Sequence, residues 1–373
     1  MNQRLFSCYA SAAFGTEGLV STELKSFHLS DVHAENGGVR FSSDISGIIT
    51  ANIKSRICDR IYIILAEGRC LSFEDLFQTV NRIPWELYAK GNEAFNISCK
   101  CSRSQLMSTR DCQSISKKAL IERLKNTGKG SIFPEDKGEL SVMISVRNNN
   151  VKVLLNTSGA ALSRRGYRTW NGEAPLRETL AASLVALSPW KPGVALHDPC
   201  CGTGTILVEA ALQNSKKAPG LNRPFAFEQF FWIDQKRFNE IKKGIQSEAI
   251  VPSITRISGS DIDSEALKLS EKHIHQAGLD HQVNVFQCPL QNLQLTEEKG
   301  VFICNPPYGE RMNNQKECRE LYHDLFLLKQ RHPNWSFCAI TSDPAFERAF
   351  GKRATRKRRL YNGRLECTYY IYE

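Results

Sequence analysis

The spacing of apolar positions changes near residue 160 and divides the chain into two textures. Before that point, short apolar runs alternate with amphipathic stretches. The spacing predicts strands at Leu5–Ala10, Val39–Phe41 and Arg60–Glu67, with helices at Glu17–Phe27 and Ile45–Asn52. Further strands follow at Ala94–Lys100, Leu140–Arg147 and Lys152–Asn156, and a helix over Asp111–Leu124 gathers Cys112, Ile115, Ala119 and Leu120 on one side. Such a run reads as small α+β units. Beyond an Ala/Leu-rich helix over Leu176–Leu187, the alternation becomes regular. Strands fall at Val194–Asp198, Thr255–Ile262, Gln282–Gln287, Val301–Cys304 and Phe337–Ser342. The helices between and after them lie at Gly204–Gln213, Gln235–Glu248, Ser264–Gln276, Gln315–Lys329 and Pro344–Phe350. This alternation predicts a doubly wound, mostly parallel sheet. The chain ends in a hairpin pattern, Arg358–Tyr361 and Leu365–Tyr372 flanking Asn362-Gly363, which adds two antiparallel strands.

Length and composition narrow the class. With 373 residues, 41% of them hydrophobic and 24% charged, the chain can fold into two or three domains with cores. A net charge of +10 points to an acidic partner, either nucleic acid or an anionic membrane surface. No apolar run reaches the roughly 20 residues that span a bilayer, and polar Ser7, Cys8, Tyr9 and Ser11 interrupt the one stretch that resembles a signal peptide. Thirteen cysteines are scattered without a C-x-x-C pair, and Cys99/Cys101 and Cys200/Cys201 are spaced unlike zinc ligands. Reduced thiols, no metal and a cytoplasmic location are therefore expected. Basic residues gather at Arg103, Lys117 and Lys118 around the 111–124 helix, and at Arg164, Arg165 and Arg168 in an aperiodic stretch read as a linker. The segment Arg348–Arg364 holds eight Lys/Arg and no acid, Arg356, Lys357 and Arg358 among them. All are candidates for RNA phosphate contact.

Three motifs fall at the carboxyl ends of predicted parallel strands, the edge where open α/β sheets bind ligands. After the first comes Asp198-Pro199-Cys200-Cys201-Gly202-Thr203-Gly204-Thr205, whose glycines let backbone approach a ligand at a helix N-terminus. Leu207 stands where the dinucleotide fingerprint needs a third small residue. An acid before the loop repels a pyrophosphate and suits a ligand carrying an ammonium and a sulfonium. After the second strand, Asp261 can accept both hydroxyls of a ribose, while Asp263 caps the next helix. The fourth ends in Asn305-Pro306-Pro307-Tyr308. The prolines have no N–H to donate and hold their neighbours extended, so Asn305 and the Pro306 carbonyl become rigid acceptors beside an aromatic plate. That set suits a planar group bearing an exocyclic amine, whether adenine N6, guanine N2 or a carboxamide.

These residues resemble the class I S-adenosylmethionine-dependent methyltransferases that modify exocyclic amines. The whole chain is similar to the THUMP-domain RNA methyltransferases, and most of all to the bacterial group that methylates guanine N2 of large-subunit ribosomal RNA. Ile83-Pro84-Trp85-Glu86, Cys112-Gln113-Ser114-Ile115 with Lys117-Lys118, Arg165-Gly166-Tyr167-Arg168 and Ala174–Ala181 carry the likeness, together with the Asp198 loop and Asn305–Arg311. The resemblance implies a ferredoxin-like module over 1–65, a THUMP domain over 66–157, a basic linker and leading helix over 158–188, and a Rossmann-like methyltransferase domain over 189–373. It further implies S-adenosylmethionine held by Asp198, Pro199, Gly202, Thr203, Gly204 and Thr205, with Asp261 on the ribose and Ile262 against the adenine. Asn305, Pro306, Pro307 and Tyr308 are the implied catalytic set. Gln287-Cys288-Pro289-Leu290-Gln291-Asn292 lacks the acid that such enzymes often place near the adenine, leaving Gln291 as its candidate partner. Transfer to adenine N6 in RNA or DNA, to a protein glutamine, or an idle RNA-binding assembly role remain open alternatives.

Overall fold

The computed structural model describes residues 4–129, 140–168, 176–252, 256–307 and 315–373. The chain forms two compact units, one of residues 1–12, 20–162 and 224–244, the other of 13–19, 163–223 and 245–373. In the first unit β1 (Phe6–Ser11), α1 (Glu17–Ser26), β2 (Ser30–Glu35), β3 (Gly38–Ser43) and α2 (Ile45–Lys54) lead into β4 (Arg60–Arg69). Then come α3 (Phe73–Asn81), β5 (Phe95–Ser102), α4 (Thr109–Asn126), β6 (Leu140–Arg147) and β7 (Asn150–Asn156). The strands make one seven-stranded sheet in the order β2-β3-β1-β4-β7-β6-β5. β4 joins its halves: Arg60–Ile63 pair with β1, while pairing with β7 runs on to Arg69. The sheet therefore continues across the boundary expected at residue 65.

Two elements of this unit escape the periodicity. β2 is an edge strand, SDVHAE, with four of its six residues exposed, so it carries almost no apolar signal. α3 is specified at its start instead. Ser72 accepts from the Asp75 amide, and the Asp75 carboxylate accepts from the Leu71 and Ser72 amides.

The second unit contains α5 (Glu178–Leu187), β8 (Ala195–Asp198), α6 (Thr205–Asn214), the end of α7 (Gln235–Ser247), β9 (Ile257–Asp261), α8 (Ser264–Gln276) and β10 (Val283–Gln287). It closes with β11 (Gly300–Cys304), α9 (Gln315–Arg331), β12 (Trp335–Thr341), α10 (Phe346–Phe350), β13 (Arg356–Asn362) and β14 (Leu365–Tyr372). Its sheet runs β10-β9-β8-β11-β12-β14-β13, parallel from β10 to β12 and antiparallel in the last two strands. Every residue of β11 is buried, and its side chains alternate between two cores. Val301 and Ile303 join Leu207 and Leu184 on one face, while Phe302 and Cys304 join Trp335 and Phe337 on the other. Helices on both faces account for the continuous apolar run. At the hairpin, Asn362 pairs with Leu365, so the two-residue turn is Gly363-Arg364, one position later than the Asn-Gly signal suggests. Gly363 takes the left-handed φ of 67° that the turn requires.

The basic stretch at 162–168 is not an open linker. Ser163, Arg165 and Tyr167 point inward while Arg164 and Gly166 face out, the period of an extended strap. Arg165 Nε and Nη2 donate to the Glu209 carboxylate of α6 at 3.2 and 3.3 Å, and Tyr167 Oη donates to the same group at 3.2 Å. Gly166 has φ +99°, and a Cβ there would lie 2.7 Å from the Asn222 carbonyl. Arg168 pairs with Glu178 at 3.3 Å and donates to Thr205 Oγ1. Arg165 and Arg168 are thus corrected from RNA contacts to internal ones, because each guanidinium is already committed to a buried carboxylate. Replacing Glu209 with Ala leaves Arg165 buried without its counter-charge. The expected loss of stability is about 3–5 kcal/mol, seen as a lower urea midpoint. Arg164→Ala, on the exposed side of the strap, should change it by less than about 0.5 kcal/mol.

Candidate active site

A cavity of about 530 Å³ opens at the carboxyl ends of the parallel strands in the second unit. β8 delivers Asp198 to it and β11 delivers Asn305. The loop between β8 and α6 turns on Gly202 (φ +50°) and Gly204 (φ +76°), with the Gly204 amide donating to the Cys201 carbonyl at 2.8 Å. The two glycines have different reasons. Around Gly202 an added Cβ would meet nothing within 4 Å, and the residue lines the cavity. Gly204 does not line it; a Cβ there would lie 2.2 Å from Ser270 Oγ on α8. Close packing on α8 and a left-handed turn both require glycine there. Leu207, in the place of a third small residue, occupies space left by Gly259, where a Cβ would lie 2.5 Å from its Cδ1.

Asp261 organises the second wall. Its Oδ2 accepts from the Gly202 amide at 2.8 Å and its Oδ1 from the Asp263 amide at 3.1 Å, leaving lone pairs for hydroxyl donors. Asp263 caps α8, accepting from the Glu265 amide at 2.9 Å. Ile262 is 70% exposed, a large apolar side chain lining the cavity. The Cys288 amide donates to the Asp261 carbonyl at 3.1 Å, and Gln287 Nε2 donates to the Ile262 carbonyl at 2.8 Å, which ties the following loop to this wall. Behind Asp198, buried His197 sits between Ser258 Oγ at 2.8 Å and Ser260 Oγ at 3.1 Å. Burial pushes its pKa down to about 3, with His332 adding to the effect, so the ring stays neutral.

Two polar groups in this cavity lack what burial ordinarily demands. Burial raises the Asp198 carboxyl well above the usual carboxylate range; the Cys200 amide opposes that and the charge of Asp261 adds to it. Asn305 Oδ1 is buried without a hydrogen-bond partner among the described residues. An acid that welcomes a cation, a carboxylate with free lone pairs and an apolar plate fit the ammonium, ribose and adenine of S-adenosylmethionine.

Pro199, Thr203, Thr205 and Pro307 also line the cavity, Pro306 is buried beside Asn305, and Tyr308 lies outside the described residues. Gln291 is corrected: its amide donates to Asp324 on α9 at 2.7 Å and it does not line the cavity. Sequence reasoning missed Leu176, Leu269, Leu290 and Leu321, which supply apolar wall. Leu269 and Leu321 lie in no motif, and the motifs that hold Leu176 and Leu290 do not single them out from the other leucines. Among the expected RNA contacts, Arg103 and Lys118 are exposed on the first unit and Arg164 and Arg358 on the second. Arg356 and Lys357 already pair with Glu373 and Glu347.

The chain matches known families along most of its length. Residues 165–371 match the RMKL-like methyltransferase domain. The chain belongs to that family. Residues 7–62 match the RlmL ferredoxin-like domain and 70–156 the THUMP domain. A putative RNA methyltransferase of Bacillus subtilis is 35% identical over 98% of this chain and 96% of its own. The Shewanella woodyi ribosomal RNA large subunit methyltransferase K/L is 32% identical over 99% of this chain, which spans only 53% of that protein. A putative methyltransferase solved with S-adenosylhomocysteine superposes with a TM-score of 0.92 at 35% identity, covering 100% of this chain and 98% of its own. A structure titled as a predicted N6-adenine-specific DNA methylase from Listeria monocytogenes gives 0.93 at 35% identity, over 99% and 96%. As a member of this family the chain is an α/β methyltransferase whose cofactor is S-adenosylmethionine. Among the described residues, no helix is long and apolar enough to cross a membrane.

The raised Asp198 carboxyl predicts pH-dependent binding of an ammonium-bearing ligand in this cavity. An ammonium-bearing ligand favours the ionised acid, so binding below the free site's pKa must expel a proton. Affinity for S-adenosylhomocysteine should climb with pH by up to about tenfold per unit and level off once Asp198 is ionised. Calorimetry on Asp198→Asn should give weaker binding with that climb removed.

Proposed function

We propose that this S-adenosylmethionine-dependent RNA methyltransferase modifies an exocyclic base amine, guanine N2 of large-subunit ribosomal RNA. The reading rests chiefly on Asn305 Oδ1, a buried acceptor without a partner among the described residues, on the cavity that Asp198 and Asp261 also line. When bound, S-adenosylmethionine supplies an electrophilic methyl on a sulfonium. The Asp198 carboxylate holds the ligand's ammonium, Asp261 its ribose hydroxyls and Ile262 the face of its adenine.

An aromatic amine's lone pair is delocalised into its ring, so orientation is the main catalytic need. Asn305 Oδ1 accepts one N–H of the base amine and the Pro306 carbonyl the other, drawing these bonds out of the ring plane so that the lone pair localises on nitrogen and faces the methyl; the methylated nitrogen then gives one of these protons to solvent. Such acceptors also stabilise the positive charge that grows on nitrogen. Tyr308 is assigned to stacking on the extruded base. The first unit, with its THUMP match, holds the RNA, and Arg103, Lys118, Arg164 and Arg358 meet phosphates. The large-subunit name of the K/L relatives supports ribosomal RNA, while the Listeria title keeps adenine N6 as the second reading.

The test is to incubate the full chain with labelled cofactor and ribosomal RNA from a strain lacking it, digest the RNA and weigh the modified nucleoside. N2-methylguanosine is expected, and N6-methyladenosine would select the second reading. Asn305→Ala should cut methyl transfer by about a hundredfold or more while S-adenosylhomocysteine affinity stays within about threefold of the parent; near-normal turnover would remove Asn305 from the mechanism. Arg103→Gln with Lys118→Gln should weaken RNA binding and lower its salt slope by about one for each phosphate left without its cation, measured by fluorescence anisotropy.

A further inference from the structure

The first unit brings together thiols that no stretch of sequence displays as a set. Cys99 and Cys101 are two apart on β5, so they share one face of the sheet. α4 packs on that face and contributes Cys112. The Cys99 and Cys101 Sγ atoms are 3.6 Å apart and those of Cys101 and Cys112 are 3.8 Å apart. All three sulfurs lie within 4.8 Å of one another. Sulfurs about 2.3 Å from a tetrahedral ion are separated by about 3.8 Å, close to the spacing of the Cys99–Cys101 and Cys101–Cys112 pairs.

Three further features suit a metal. First, the elements are rigid: β5 pairs with β6 over its whole length, and the Ser108 side chain caps α4. The site needs no ordering before it binds. Second, Cys112 is the fourth residue of α4, near the helix end whose partial positive charge opposes the burial that raises its thiol, and a bound cation would displace the proton. Third, Cys112 is buried while Cys99 and Cys101 are only partly so, leaving an entry path. Cysteines acting only as small apolar groups have no reason to converge from two elements onto one point at metal-ligand spacing.

We propose that Cys99, Cys101 and Cys112 form a thiolate site for a soft, closed-shell divalent cation such as Zn²⁺, with water in the fourth position. Each thiol gives its proton to solvent as its sulfur binds the ion, and no electron is transferred. The ion would pin α4, which carries Lys117 and Lys118, to β5. The test uses the full-length, reduced chain stripped with chelator and titrated with Cd²⁺, followed by Zn²⁺ competition. One equivalent of Cd²⁺ should produce a sulfur-to-metal charge-transfer band that Zn²⁺ removes. Cys101→Ser and Cys112→Ser should each weaken binding at least tenfold, while Cys288→Ser in the other unit keeps it. Should Cys112→Ser fail to fold by circular dichroism, the partly exposed Cys99→Ser gives the same readout. Lack of a band at one equivalent, or an unchanged titration in the Cys99 and Cys101 variants, overturns the proposal. So does loss of two thiols to a disulfide without metal.

Discussion

The active-site cavity depends on one topological constraint, the reversal of strand order between β8 and β11. From β8 the chain steps outward through β9 to β10, then returns across the sheet to place β11 on the other side of β8. Connections leaving β8 and β11 therefore diverge, and a crevice opens at the carboxyl ends of these neighbours. Asp198 and Asn305 occupy those two ends, on strands that a parallel ladder holds about 4.8 Å apart. Each further feature of the site refines this gap. The glycine turn keeps the loop low, Asp261 on the next strand grips the Gly202 amide, and Gly259 lets α6 settle against β9.

Charge burial is handled in two contrasting ways within the same unit. The Arg165–Glu209 pair is closed: the guanidinium and a tyrosine hydroxyl answer the carboxylate, and little of it reaches solvent. A buried pair of this kind contributes little net stability, but removing one partner is costly, so it fixes where the strap must lie. Through Arg168 the same strap reaches Thr205 at the cavity wall, which couples a structural ion pair to the site's shape. Asp198 and Asn305 are left open. Among the described residues one backbone amide answers the acid and none answers the Asn305 oxygen, so both groups gain from what enters the cavity.

The first unit shows a different economy. Its sheet runs unbroken through a ferredoxin-like and a THUMP match because β4 pairs on both sides, so the two modules share backbone hydrogen bonds instead of meeting through a linker. That continuity supports α4 and β5, where the cysteine trio and the exposed basic residues lie.

By itself the sequence determined the alternation of strands and helices, the glycine loop, the acid after β9 and the proline-locked acceptors after β11. These depend on local periodicity, on φ restrictions and on missing donors, all properties of a few adjacent residues. Edge strand β2 was invisible because an exposed strand needs no apolar pattern, and the hairpin turn was displaced by one residue because cross-strand pairing sets its register. Only the tertiary structure decided the fate of Arg165 and Arg168, which look like RNA ligands until Glu209 and Glu178 are found against them. It likewise set Gly204 against Ser270 of α8, turned Gln291 toward Asp324, and gathered Cys99, Cys101 and Cys112. The physical reason is common to all of these. Which groups a side chain meets depends on the faces that distant elements present to each other, and local spacing along the chain carries no record of that meeting.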